Sequence, residues 1–176
     1  MARMTAAVLA EALTKPLLAV IATTRKAGQP YLVPVWFYWE PNGRVAESYP
    51  FYPEGHFWLV GTYTRVWCKH LFANPRISLC IHGADVPGYI AADCIAEPIE
   101  PDTHDIWPIA TILAEKYVGS RAGPEATARF VANMRTEPRL LFRLTPQSWR
   151  AIDLTVYTGS RGDIAYQRAH AAQAEE

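Results

Sequence analysis

The sequence predicts an α+β fold in which six or seven short antiparallel strands close into a small, Greek-key-like barrel with helices at its periphery. Three observations carry this prediction. Short apolar or alternating runs recur along the chain, separated by turn residues. Helical spacing appears in few places: at the start, once between strands, and in a pair before the last strands. So many short strands are most simply relieved of their edges by closure into a barrel.

Taken in order, Thr5 to Lys15 has Val8, Leu9 and Leu13 on one side and is stopped by Pro16, so it reads as an amphipathic helix. Leu17 to Thr24 is a β-branched run suited to a buried strand, and Lys26-Ala27-Gly28-Gln29-Pro30 supplies a turn. Tyr31 to Trp39 reads as one strand, apolar on both faces, as a barrel wall is when it also lines an interface or a ligand. Pro34 lacks an amide donor, so the sheet is expected to be open or bulged there, leaving backbone that a ligand can approach.

Pro41-Asn42-Gly43 signals a turn, and Arg44 to Gly55 reads as an irregular excursion. Phe57 to Tyr63 resumes as a strand; Val66 to Ala73 has helical spacing and ends at Asn74-Pro75. Arg76 to His82 and Tyr89 to Glu97 are the next strands, joined by the turn Gly83 to Gly88. Asp102 to Tyr117 reads as a helix with Asp102 as its N-cap, and Pro124 to Arg135 as another with proline in its first turn. Arg139 to Leu144 and Trp149 to Tyr157 give the last two strands, separated by Thr145-Pro146-Gln147-Ser148. One domain over residues 1–158 is expected, followed by a polar tail or terminal helix over 159–176.

The 176 residues suffice for one sizeable core, and 50% of them are hydrophobic. Lysine plus arginine and aspartate plus glutamate number 17 each, a net charge of zero that calls for neither nucleic acid nor an anionic membrane as partner. With 12% aromatic residues and little charge to keep copies apart, apolar surface is expected to be covered by a second copy. Cys68, Cys80 and Cys94 are odd in number and widely spaced, which reads as free, buried thiols rather than a disulfide framework. The start of the chain lacks the apolar run of a signal peptide or span, so the cytoplasm is the expected compartment. His56, His70, His82 and His104 have no metal-ligand spacing, and no metal is expected.

The segment most suggestive of chemistry is Gly61 to Arg76. Thr64 reads as a helix N-cap with Arg65 first in the helix, and Arg65 and Lys69 then share a helix face. Two cations beside exposed helix-start amides, with Thr62 and Thr64 just upstream, make a seat for phosphate; a solvated basic face is the other reading. The aromatic cluster of Trp36, Tyr38, Trp39, Tyr49, Phe51, Tyr52, Phe57 and Trp58 reads as part interface and part substrate wall, or as plain core. Gly119-Ser120-Arg121-Ala122-Gly123 and Gly159-Ser160-Arg161-Gly162 read as connections between helices rather than phosphate loops.

The run Trp67-x-x-His70-Leu71-x-Ala73-Asn74-Pro75-Arg76, followed by a strand, resembles the helix of the flavin/deazaflavin oxidoreductase superfamily, which includes the pyridoxamine 5′-phosphate oxidase-like proteins. Leu18 to Thr24, the turn at Gly28-Gln29-Pro30 and Val33-Pro34-Val35-Trp36-Phe37 are similar to its first two strands. Arg143-Leu144-Thr145-Pro146 with Trp149 is similar to its last pair. The resemblance implies an FMN-binding split β-barrel homodimer with cofactor sites at the subunit interface. It places the flavin ring near Pro34, Val35 and Trp36, and the ribityl and phosphate groups near Gly61, Thr62, Thr64, Arg65 and Trp67, with Lys69 as a substitute cation.

Trp67 stands where many FMN-binding members carry lysine; a tryptophan there resembles the branch using the 8-hydroxy-5-deazaflavin cofactor, but His70 replaces that branch's asparagine. The resemblance therefore implies an oxidoreductase that uses FMN, or alternatively the deazaflavin, on a small organic substrate. A non-catalytic flavin- or haem-binding barrel, or one that has lost its cofactor, is the rival reading. No catalytic acid or base is assigned; Tyr38, Tyr63 and His70 are the polar groups to test first as proton donors.

Overall fold

A computed structural model describes residues 2–45 and 53–155. Ala2–Arg3 (β1) pairs with the end of the last strand and leads into α1, Ala6–Thr14, capped by the Thr5 side chain accepting from the Val8 amide. The strands that follow are β2 (Ala19–Thr24), β3 (Pro30–Val35), β4 (Tyr38–Val45) and β5 (Pro53–Thr62). Helix α2 (Val66–Ala73) precedes β6 (Arg76–His82) and β7 (Gly88–Ile99). Then come α3 (Trp107–Ala114), a π-helical turn at Glu115–Gly119, α4 (Ser120–Met134) and β8 (Arg139–Asp153).

All strand pairs are antiparallel, in the order β3-β2-β6-β7-β8-β5-β4, with β1 added on β8. The two edge strands, β3 and β4, are consecutive in the chain and joined only by Trp36-Phe37. The chain itself thus bridges the seam of a curled sheet whose edges do not pair with each other. That is a split barrel, and the α+β barrel expected from the strand pattern is present.

Alternation fills the interior. Ile21 from β2, Leu79 and Ile81 from β6, Ile90 from β7, and Phe142 and Leu144 from β8 are all buried. Leu9 and Leu13 of α1, and Trp67, Cys68 and Leu71 of α2, belong to the same core. A second, smaller cluster around Ile99, Ile106 and Leu141 lies on the other face of β8, where Trp107 and Ile109 of the helical hairpin pack.

Several elements differ from the sequence expectation. Tyr31 to Trp39 is two strands, because Phe37 turns wholly into the core at the seam. Pro34 lies on edge strand β3 opposite Val20, where a missing donor is tolerated, and the interruption falls two residues later. Pro41-Asn42-Gly43 is an irregularity within the β4–β5 pairing, and Pro53 to Gly55 already belongs to β5. The third helix begins at Trp107 rather than Asp102. Residues 100–104 form a turn on the Glu100 carbonyl, Pro108 sits in the first helical turn, and the Asp105 carboxylate accepts from the Trp107 amide.

The last two strands are one. Thr145-Pro146-Gln147-Ser148 contains no glycine to reverse the chain, and β7 pairs with β8 on both sides of it, so Gln147 is absorbed as a bulge. Cys68 and Cys94 are buried as expected, whereas Cys80 is exposed on the outer face of β6. Residues 119–123 end the π turn and open α4, which is kinked at Gly123 (φ 79°). Tyr49, Phe51, Tyr52, the segment 159–162 and the tail 159–176 lie outside the described residues.

Candidate cofactor site

A cavity of about 300 Å³ lies between the seam of the barrel and the helical hairpin. Pro34, Val35 and Trp36 bring the end of β3 to it, and Val60 brings the outer face of β5. The hairpin contributes an apolar wall through residues such as Leu113, Phe130 and Met134. Two guanidinium residues, Arg65 and Arg139, complete it. Two wider depressions, one between α3 and α4 and one outside the barrel near Asp93, are more open to solvent. The second contains a carboxylate already satisfied by both terminal nitrogens of Arg150 and by Ser78 and Ser148, which hold Asp93 well below the usual carboxylate range.

Arg65 and Arg139 come together through sheet register. Thr62 at the end of β5 is the cross-strand partner of Arg139 at the start of β8, and Arg65 follows Thr62 by one tight turn closed by the Arg65 amide on the Thr62 carbonyl. Arg139 is held by the Met134 carbonyl at 2.8 Å and by the Glu137 carboxylate at 3.2 Å. Burial lowers its pKa, Glu137 opposes that, and the Arg65 charge adds to the lowering. Two positive charges thus stand beside a partly enclosed apolar slot with a carboxylate, that of Glu137, paired to Arg139, an arrangement that favours an anion.

Of the residues named from the sequence, the structure brings Pro34, Val35, Trp36 and Arg65 to the cavity. Gly61, Thr62, Thr64, Trp67 and Lys69 do not line it. Gly61 and Thr62 are buried at the end of β5, and the Thr62 and Thr64 hydroxyls are hydrogen-bonded to each other at 3.0 Å. Trp67 is 2% exposed and packs on Phe142, with its indole N–H buried and unpartnered. Thr64 is not the helix cap: Arg65 has extended backbone angles and occupies that position, so α2 begins one residue later. Arg65 therefore precedes the helix instead of sharing a face with Lys69, which is exposed.

Arg139 and the hairpin wall were not among the residues singled out from sequence. A lone arginine opening a strand carries no local signal; only the register places it beside Arg65.

The polar groups considered as proton donors lie elsewhere. His70 is tied at Nδ1 to the buried Thr23 hydroxyl, 2.9 Å away, and meets the Tyr31 ring edge-on, which is a structural role facing the barrel. Tyr63 stacks on Phe72 at the surface, and burial with the nearby Glu40 raises the Tyr38 pKa. Neither lines the cavity. Burial pushes the Cys68 and Cys94 thiols up to about 11 and about 12, so they are poor nucleophiles. Among the described residues, no three His, Cys, Asp or Glu side chains are grouped to hold a metal, and no helix is long and apolar enough to cross a membrane.

The family model described as pyridoxamine 5′-phosphate oxidase matches residues 5–153. No curated protein matches the sequence. Among solved structures, an F420 reductase is 20% identical with TM-score 0.55, covering 80% of this chain and 94% of its own. A conserved hypothetical protein from Mycobacterium tuberculosis is 21% identical with TM-score 0.63, covering 85% of both chains. The heme storage protein HutZ from Vibrio cholerae is 16% identical with TM-score 0.54, covering 81% of this chain and 91% of its own. At these identities the likeness is one of fold.

Proposed function

The chain belongs to the pyridoxamine 5′-phosphate oxidase family, and from that premise we propose that it is an oxidoreductase binding a flavin-type cofactor, FMN first and the 8-hydroxy-5-deazaflavin as the alternative, to act on a small organic molecule. The observation that carries this reading is the cavity at the seam, where a proline-containing edge strand and Trp36 stand beside two guanidinium groups. A flat apolar ring with an anionic extension suits that donor set: the ring lies against backbone and aliphatic wall, and the charge lies near Arg65 and Arg139. When bound, the cofactor supplies hydride or electron transfer. The chain's own residues position the ring, bind its anionic end and exclude water.

Among the described residues that line the cavity there is no histidine or cysteine, so none of them offers a haem an axial ligand of either kind. The reading includes a homodimer. Val20 is 42% and Leu32 65% exposed on the outer face of β2 and β3, and Leu18, 48% exposed, continues that apolar face into the cavity wall. A second copy seated there would cover both the patch and the cavity mouth.

Absorption spectroscopy after incubation with FMN and, separately, with the deazaflavin tests the reading. A retained flavin band that bleaches under reductant and returns with an oxidising substrate is expected. A chain that retains neither cofactor overturns it. Val20→Glu with Leu32→Glu is expected to convert a dimer to a monomer in sedimentation; a monomeric wild-type chain overturns the dimer.

A further inference from the structure

Two consecutive residues of the π turn, Lys116 and Tyr117, reach across from the helical hairpin to the seam of the barrel. The Tyr117 hydroxyl donates to the Leu17 carbonyl at 2.5 Å and accepts from the Phe37 amide at 3.1 Å. The Lys116 ammonium donates to the Leu13 carbonyl at 3.0 Å and the Phe37 carbonyl at 3.1 Å, and sits 3.8 Å from the centroid of the Phe37 ring. The backbone groups of Phe37, left without a strand partner by the break between β3 and β4, are thereby satisfied. The end of α1, the entry to β2 and the seam are tied to one turn of one helical element.

Trp36, the other residue of the seam, lies flat on Tyr117, with ring centroids 4.7 Å apart and an interplanar angle of 1°. Phe130 of α4 meets it at 5.5 Å and 41°. Tyr117 is buried, whereas Trp36 remains 37% exposed and lines the cavity. An exposed indole held flat by a buried ring, on a backbone clamped by hydrogen bonds, is pre-organised to receive another flat ring at little cost in side-chain entropy.

We propose that Trp36 is a stacking wall for the ring of a planar aromatic ligand, and that Tyr117 and Lys116 are positioning residues that hold this wall by closing the seam. The ligand class rests on the reading of the cavity as a flavin-type site; the positioning role does not.

The test labels the full chain with 5-fluorotryptophan and assigns the Trp36 fluorine resonance, among those of the six tryptophans, by its loss in Trp36→Phe. A single narrow Trp36 line is expected in the wild type. It broadens or splits in Tyr117→Leu, Tyr117→Phe and Lys116→Met while the lines of the core tryptophans stay in place. FMN added to the wild type shifts that line. FMN affinity falls about tenfold, roughly the effect of one lost interaction, in Trp36→Leu, Tyr117→Leu and Lys116→Met. Lys116→Met keeps the packed stem and Tyr117→Phe keeps the ring, so these two carry the test if Tyr117→Leu fails to fold.

A Trp36 line that stays single and narrow in both Lys116→Met and Tyr117→Phe overturns the positioning role. FMN binding without a shift of the Trp36 line, or unchanged in Trp36→Leu, overturns the stacking wall. A wild type whose Trp36 line responds neither to FMN nor to the deazaflavin, with no binding of either, removes the flavin reading and the wall with it, while the line widths still decide the positioning role.

Discussion

The Tyr117 hydroxyl accepts from the Phe37 amide 3.1 Å away, so a side chain of the helical hairpin takes the place of the strand partner that the barrel seam denies to Phe37. Phe37 is wholly buried, and its amide has no water to turn to. The same hydroxyl donates to Leu17 ahead of β2, which fixes how closely the first strand approaches the seam.

Removing that hydroxyl alone separates the polar from the packing contribution. Tyr117→Phe leaves the ring under Trp36 but strands the Phe37 amide, a loss expected to cost about 1–3 kcal/mol. Urea unfolding checks this through a lower midpoint at unchanged slope. A midpoint equal to wild type would mean that the seam rearranges to satisfy itself.

Lys116 gives a pH signature with a definite sign. Burial pulls its ammonium from 10.5 down to about 7; among the described residues it meets two carbonyls and the faces of the Phe37 and Tyr117 rings, and no carboxylate. Between about 7 and 10.5 the unfolded chain holds a proton that the folded chain has released. Stability contributed through this group therefore rises with pH across that window, with a limiting slope of about 1.4 kcal/mol per pH unit. Lys116→Met removes the term. The difference in unfolding free energy between wild type and variant is expected to grow in favour of wild type from pH 7 to pH 9; a constant difference refutes it.

How much of this was legible in the sequence depends on whether a residue acts locally. Helix α2 was largely readable, because Val66 to Ala73 carries its own periodicity and Asn74-Pro75 its own stop, but its cap is Arg65 where the sequence suggested Thr64. Strand β6 was readable for the same reason. The seam was half legible: Pro34 announced an open edge, but the break two residues later depends on Phe37 being drawn inward by Phe57 and by the hairpin. The fused strand β8 was not legible, since only the length of β7 decides that Thr145 to Ser148 is a bulge rather than a turn. Arg65 could be picked out as a cation near a helix start, whereas Arg139, 74 positions later in the numbering, joins it by register alone.

Gly61 illustrates a site candidate whose glycine has a structural explanation. A Cβ there would meet the Cys68 sulfur at 2.5 Å and Trp67 Cη2 at 3.1 Å, both inside the core. Gly61→Ala is expected to destabilise the fold by about 1–3 kcal/mol through overpacking. Cys68→Ala in the same chain should recover part of that loss, because it removes the nearer atom. Additive losses in the double variant would show that the glycine is needed for another reason, such as the approach of a ligand to its backbone.

The last prediction separates the two arrangements of positive charge. If spacing on one helix face decided anion binding, Arg65 and Lys69 would act together. The structure sets Arg65 before the helix, beside Arg139, and leaves Lys69 exposed away from the cavity. Arg65→Ala and Arg139→Ala are each expected to weaken FMN by about 1.5–3 kcal/mol, as for hydrogen bonds to charged groups, and Lys69→Ala by much less. Riboflavin, which has the ring but no phosphate, should be nearly indifferent to all three, and the FMN preference of the wild type should shrink as salt is raised. Equilibrium titration of both ligands decides the matter. A large loss in Lys69→Ala with none in Arg139→Ala would return the anion site to the helix face.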